Sequence, residues 1–381
     1  MIRDLDPLMR ARGIGALIVP MHEAMHSSFR WLSRGAKVTR GYAIKVLDRE
    51  PLLVTYPMER EEAKATGLEV RLVHDYVATA PTGSDGYAEL FANILGDAGP
   101  VAFFGNAPVH LYVGIVDALQ RRRVRVHRSN GEDLIQLARK RKEPWEVEAI
   151  RSVGARTEEV VEGVRAMLRD ASPSLTLGDL KRFVSPEIAR LGMIEDHETI
   201  LSQGRDAGVP HSRGDAAARV EPSSPIVLDI FPSDRTTGYF FDLTRTFCIG
   251  PIPGELQRMH DEVLEAFTRA RDAVRPGTLA ASYQALVCDY FEERGHATLR
   301  SHPKTLNGYV HSLGHGVGLD IHEKPSFSLL QDDPIEEGDV ITIEPGLYYP
   351  ERGLGVRIED MFVVTATGVE TLCRSSYGLR P

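Results

Sequence analysis

The chain has 381 residues, 42% hydrophobic and 26% charged, with a formal net charge of −9. That length predicts two domains with a core each, and the acidic balance argues against a general nucleic-acid binder. No run approaches the ~18 uninterrupted apolar residues of a membrane span, the charged N-terminal stretch lacks a signal-peptide apolar core, and Cys248, Cys288 and Cys373 are too scattered for a disulfide framework or Cys-rich zinc site, so a cytoplasmic setting is expected.

Residues 1–130 alternate strand-like and helix-like segments and predict an α/β domain, with a linker over Gly131–Lys142. Ile14–Val19 reads as a strand, Tyr42–Leu47 and Pro51–Tyr56 as a hairpin, Met58–Thr66 as helix and Leu68–Val73 as extended. Ala88–Leu95 reads as helix, Val101–Phe104 as strand, His110–Arg122 as helix and Val124–His127 as a last strand. His22, His26, His74 and His110 have no neighbour at metal-ligand spacing and read as surface or structural residues. The boundary falls within 135–142, where the basic run Arg139 to Lys142 reads, with Arg121 to Arg123, as a solvated face.

Residues 139–381 form the second predicted domain. Pro144 opens a helix that carries Val147, Ile150 and Val153 at helical spacing and runs to about Leu168. Thr176 is a candidate N-cap for Leu177–Leu191, which Gly192 ends. Glu198–Gln203 is extended, and a Gly/Pro loop holding His211 follows. Next comes a hairpin of Ile226–Phe231, stopped by Pro232, and Tyr239–Cys248, begun after Gly238. Helices Gly254–Val274 and Ala280–Arg294 precede three strand-and-turn stretches, Tyr309–His322, Asp339–Glu344 and Leu354–Val364.

Five residues break the apolar pattern of these strands: Asp229, Asp242, His315, Glu344 and Glu359. A buried carboxylate is costly unless paired or metal-bound, and neighbouring ones repel unless a cation intervenes. The plain alternative, scattered ion pairs, fits any one of them better than all five. Carboxylate-rich sites suit Mn²⁺, Co²⁺ or Fe²⁺, with Zn²⁺ an option. Two such ions about 3.5–4 Å apart would balance four acids and activate water. Arg357 and Glu359, two positions apart, share a strand face, which allows an ion pair.

The runs Asp242-Leu-Thr-Arg-Thr-Phe247, Gly314-His-Gly-Val-Gly-Leu-Asp-Ile-His-Glu323, Ile343-Glu-Pro-Gly-Leu-Tyr348 and Val356-Arg-Ile-Glu-Asp360 resemble, in order, those of the pita-bread metallopeptidases, the family of methionine aminopeptidase, aminopeptidase P and prolidase. The resemblance covers the second domain, and the first resembles the N-terminal domain of the aminopeptidase P, prolidase and creatinase branch. It implies an α+β fold: a pita-bread catalytic domain, residues 139–381, after a smaller creatinase-like α/β domain, residues 1–138.

The resemblance also implies roles. Asp229 would hold one metal, His315 the other, and Asp242 and Glu359 would bridge them. Glu344 would bind metal and act as general base toward a metal-bridging hydroxide. His211 would contact the scissile bond, His322 would stabilise the tetrahedral intermediate, and His311 would help form the pocket. Arg357 and Tyr348 would lie beside the substrate. The implied reaction is hydrolysis of the Xaa-Pro bond at a peptide N-terminus or in a dipeptide. An exopeptidase without proline preference and a non-catalytic binding protein on the same fold are the alternatives. Two divalent ions per chain, manganese foremost, and a homodimer are expected, with neither nucleic acid nor membrane as partner. Asp229 and Asp242 are 13 positions apart, two more than in the best-known members. The excess falls in the turn, where it preserves strand parity. Asp234, in that turn, is the rival to Asp229 as ligand.

Overall fold

The computed structural model describes residues 4–22, 25–128, 131 and 133–381; the His22 side chain and the first three residues of the N-terminal stretch lie outside the described residues. Two compact units emerge, Met1–Arg139 and Lys140–Pro381.

The first unit runs α1 (Leu5–Ala11), β1 (Ala16–His22), α2 (Ser27–Leu32), β2 (Arg40–Val46), β3 (Leu52–Thr55), α3 (Arg60–Lys64), β4 (Glu69–Leu72), α4 (Gly83–Leu95), β5 (Val101–Phe103), α5 (Val109–Arg121) and α6 (Leu134–Ala138). Its sheet has the order β4-β3-β2-β1-β5. The two-residue period of β1 divides the core. Leu17, Val19 and Met21 pack with Leu5, Met9, Phe29 and Leu32 on one face. Ala16 and Ile18 pack with Phe91, Leu95, Ile115 and Leu119 on the other. The predicted strand Val124–His127 reduces to a single bridge between Val126 and Val101, because the backbone pairs only through Arg125 and His127. The sequence reading missed α1, α2 and α6, each too short to show a helical period. His26 caps α2 by accepting from the Phe29 N–H at 3.3 Å, while its other ring nitrogen meets the Pro20 carbonyl at 2.8 Å. His74 and His110 are exposed.

The second unit opens with α7 (Pro144–Arg169) and α8 (Leu177–Arg190). Thr176 caps α8, and its own N–H is taken by Asp179 at 2.9 Å. Then come β6 (Met193–Ile194), β7 (Ile200–Gln203), β8 (Ile226–Ile230), β9 (Ser233–Asp234), β10 (Leu243–Phe247), α9 (Gly254–Ala273) and α10 (Ala280–Glu292). The chain ends with β11 (His315–Gly316), β12 (Glu323–Ser326), β13 (Val340–Ile343), β14 (Gly346–Tyr349), β15 (Leu354–Arg357), β16 (Asp360–Thr365) and β17 (Gly368–Thr371). The sheets are β10-β8-β7, β12-β11-β13-β16-β17, β14-β15 and β6-β9. Leu256, Val263 and Phe267 of α9 and Val287 and Phe291 of α10 pack on Ile341, Ile343, Val356 and Phe362. Apolar burial at about 1.5–3 kcal/mol per side chain holds that layer.

The structure departs from the sequence expectations at three places. Tyr309–His322 is mostly loop, with only His315–Gly316 in a ladder, since its glycines favour close backbone approach over strand. Leu354–Val364 is two strands in different sheets, broken at Ile358–Glu359. The basic run is a solvated face only in part: Arg141, like Arg121 to Arg123, is exposed, but Arg139, Lys140 and Lys142 are buried, and Lys140 and Lys142 find acids within the second unit. The three cysteines are free and buried. No helix among the described residues is long and apolar enough to cross a membrane.

Candidate active site

Asp229 lies one residue before the end of β8, flanked in register by Ile200 of β7 and Thr244 of β10. Asp242 stands just before β10, since the second hairpin strand begins at Leu243 rather than Tyr239. Both acids are buried. The turn between them folds aside. Its residues 233–234 form β9 and pair with β6, Ser233 Oγ donates to Asp196 at 2.7 Å, and Arg156 Nη2 meets Asp234 Oδ2 at 2.8 Å. Asp234 Oδ1 accepts the Thr236 and Thr237 N–H groups at 3.0 and 2.6 Å. Asp234 is therefore a turn former engaged by a guanidinium.

The remaining residues come from the larger sheet. A Cβ on Gly314 would lie 2.2 Å from the Thr342 carbonyl, and one on Gly316 would lie 2.0 Å from the Lys324 carbonyl. Glycine on both sides is what lets His315 sit so deep between β13 and β12. Glu344 follows β13, its N–H on the Leu313 carbonyl at 2.8 Å. Glu359 occupies the joint between β15 and β16; its N–H meets the Thr244 carbonyl at 3.1 Å, and Thr244 Oγ1 donates to its Oε2 at 2.7 Å. Thr244 lies inside one of the matched runs, yet nothing in the sequence alone singles it out as this partner.

Asp242, His315 and Glu359 each offer a ligand atom, and these atoms lie within 4.8 Å of one another. His315 Nε2 is 3.4 Å from Glu344 Oε1 and 3.7 Å from Asp242 Oδ2. Its Nδ1 lies 3.0 Å from the Gly316 carbonyl. A carbonyl only accepts, so Nδ1 carries the proton and the Nε2 lone pair faces the acids. Burial, then His322, pulls this imidazole down to about 3, keeping it neutral. Burial, then Glu359, holds the Asp242 carboxyl well above its ordinary range, and the same two causes raise Glu344. Burial, then Asp229, lifts Glu359 to about 8.

Asp229 Oδ1, Asp242 Oδ1 and Glu359 Oε1 are buried without a hydrogen-bond partner. Native proteins rarely leave such atoms orphaned. Unpartnered acid oxygens, the raised carboxyls of Asp242, Glu344 and Glu359, and one neutral imidazole form the donor set of a divalent cation, so these residues fit the metal that the resemblance implies.

Beside this cluster, Arg357 is buried and bonds outward in several directions. Its Nη2 meets Asp229 Oδ2 at 2.6 Å, Nη1 reaches the Pro210 carbonyl at 3.2 Å and Tyr348 Oη at 2.9 Å, and Nε reaches Thr244 Oγ1 at 3.2 Å. The expected pairing with Glu359 is thus replaced by one with Asp229, because the strand breaks between positions 357 and 359. His311 Nδ1 lies 2.8 Å from the Ser312 carbonyl, so its Nε2 accepts the Tyr348 hydroxyl at 2.8 Å. Burial, then Arg357, lowers His311 to about 3. His211 and His322 are both exposed. The His322 ring meets that of His315 edge-on at 4.3 Å, and His211, which follows the anchored Pro210, acts electrostatically on both His311 and His322.

A family model described as metallopeptidase family M24 matches residues 148–366. The Xaa-Pro dipeptidase of Pyrococcus furiosus is 35% identical over 211 residues, 54% of this chain and 57% of that protein. The chain thus spans a little over half the length of this curated relative. Among solved structures, the Xaa-Pro dipeptidase from Bacillus anthracis superposes with a TM-score of 0.83 at 23% identity, covering 99% of this chain and 98% of that one. The X-Pro aminopeptidase from Thermotoga maritima gives 0.79 at 23%, covering 98% and 99%. At that identity the likeness speaks for the fold, a pita-bread unit preceded by a smaller N-terminal unit. With more than half of its length matched, the chain belongs to metallopeptidase family M24.

Proposed function

We propose that this chain hydrolyses Xaa-Pro bonds at peptide N-termini or in dipeptides, with two divalent cations, manganese foremost, held by Asp229, Asp242, His315, Glu344 and Glu359. Residues 1–138 and 139–381 are its two domains, and the working form is a cytoplasmic homodimer. The observation that carries the reading is the set of three buried, unpartnered carboxylate oxygens, in a cluster where burial and neighbouring acids raise Asp242, Glu344 and Glu359. That the Pyrococcus furiosus relative is an Xaa-Pro dipeptidase supports the proline preference.

When bound, the cations let the acids ionise together and supply an activated water and a polarised scissile carbonyl. Glu344 takes the proton that the attacking water gives up and delivers it to the proline nitrogen, which has no N–H of its own. His211 and His322 donate N–H groups to the carbonyl oxygen as charge develops there. Arg357 fixes one oxygen of Asp229 and leaves the other for ligation, while the Arg357–Tyr348–His311 chain keeps that guanidinium in place. His311 and Tyr348 wall the pocket.

Glu344→Ala is expected to abolish turnover of an Xaa-Pro peptide while the protein stays folded; unchanged activity would sink the mechanism. Comparing Xaa-Pro with Xaa-Ala substrates tests the proline preference. A series from Xaa-Pro to longer peptides, with Mn²⁺, Co²⁺ and Zn²⁺ in turn, separates dipeptidase from aminopeptidase and ranks the metals. Metal content of the purified protein tests the non-catalytic alternative.

A further inference from the structure

Lys142 Nζ meets Glu323 Oε2 at 2.8 Å, with side chains 1% and 0% exposed. Replacing a buried ion pair by apolar residues is often neutral or stabilising, so stability alone does not explain its presence. The other oxygen of Glu323 supplies a reason. Oε1 accepts the backbone N–H groups of Leu319 and Asp320 at 2.9 and 3.0 Å. The loop from Gly318 to His322 folds around this carboxylate so closely that a Cβ on Gly318 would lie 2.6 Å from it. His322 ends the loop, next in sequence to Glu323, with its ring on His315. Lys142 Nζ is in turn fixed by the Lys140 carbonyl at 3.0 Å.

We propose that Glu323, charge-balanced by Lys142, is a positioning residue: it ties down the Gly318–His322 loop and so aims the His322 imidazole at the substrate carbonyl. This rests on the role proposed above for His322. Glu323 touches no substrate, and its effect passes through His322.

The test contrasts two neutral replacements of the pair, each loaded with manganese and assayed on an Xaa-Pro peptide. In Lys142→Met with Glu323→Gln, the amide oxygen still accepts both N–H groups, and kcat is expected within about threefold of wild type. In Lys142→Met with Glu323→Leu, both donors lose their acceptor. Here kcat is expected to fall at least about tenfold with KM within about twofold, since His322 acts on charge that develops in the reaction. Placed on a His322→Ala background, the two versions should have the same kcat, as no purely structural role would require. Should the Leu version fail to fold, Gly318→Ala presses on the carboxylate with both charges intact, and its loss of kcat should likewise vanish on the His322→Ala background. Equal kcat for the Gln and Leu versions overturns the proposal. So does a gap that persists without His322 or follows lost manganese. If His322→Ala alone leaves kcat unchanged, the role of His322 falls and the inference with it. If His322→Ala lowers kcat while the Gln and Leu versions agree, only the positioning falls.

Discussion

Glu359 and Asp360 are adjacent acids, both buried, and they meet opposite fates. Asp360 lies against Arg245, whose Nη2 reaches it at 2.7 Å, and its other oxygen accepts the Tyr377 hydroxyl. Arg245 is itself saturated, by the carbonyls of Thr244 and Glu359 at 2.9 and 2.8 Å and of Ser375 and Ser376 at 2.8 and 3.0 Å. Glu359, one residue earlier, keeps one oxygen without a partner. Both are buried carboxylates; satisfaction is what differs. A finished network specifies structure, whereas an unfinished one waits for a ligand.

The contrast is most easily broken by substituting the two acids separately. Glu359→Gln is expected to lower kcat by on the order of 10³ or more while the metal-free protein melts no lower than wild type, because it removes a carboxyl whose ionisation burial and Asp229 oppose there. Asp360→Leu should do the reverse, costing about 3–5 kcal/mol by stranding the Arg245 charge. At ~2–4 °C per kcal/mol the loss is visible by calorimetry, and the molecules that remain folded should keep their activity. If both substitutions destabilised equally, the distinction would be empty.

A pH titration sharpens it. Glu359, lifted from an ordinary 4.5 to about 8, binds more protons folded than unfolded between those values, so its contribution weakens stability as pH rises through them. His311 and His315, lowered from 6.5 to about 3, act the other way: their burial costs stability in acid, and that cost is mostly lifted as pH rises past 6.5. Between pH 6.5 and 8 the acids alone remain. The melting temperature of chelator-treated protein should fall across that window by several degrees, and excess manganese should abolish the fall. The smallest effect belongs to the turn. Asp234→Ala should cost about 1 kcal/mol, through the Arg156 pair and the turn hydrogen bonds, and leave metal content and turnover unchanged.

The sequence was informative where local chemistry decides. Pro232 and Gly238 bracket the hairpin turn, Thr176 with Asp179 caps α8, and Pro144 starts α7 as read. It was silent where distant segments decide. Arg357 reaches across 128 positions to Asp229 instead of two positions to Glu359, and no periodicity encodes that choice. The break at Ile358–Glu359 reflects a change of sheet, with the Glu359 N–H taken by Thr244 of the hairpin. The burial of Lys140 and Lys142 was hidden for a similar reason: a basic run looks solvated until Glu336, Asp339 and Glu323 come from the far end of the chain.

The isolated bridge between Thr244 and Glu359 joins the hairpin sheet to the larger sheet, and the proposed cations would straddle the same line. Asp229 and Asp242 belong to one side of that seam, His315, Glu344 and Glu359 to the other. An ion bound there would act as a rivet between the two sheets, so breathing of the seam would loosen several ligands at once and quicken its exchange. Thr244→Val, which removes the hydroxyl rung of the seam and no ligand, should therefore speed manganese loss to a chelator more than it weakens manganese affinity.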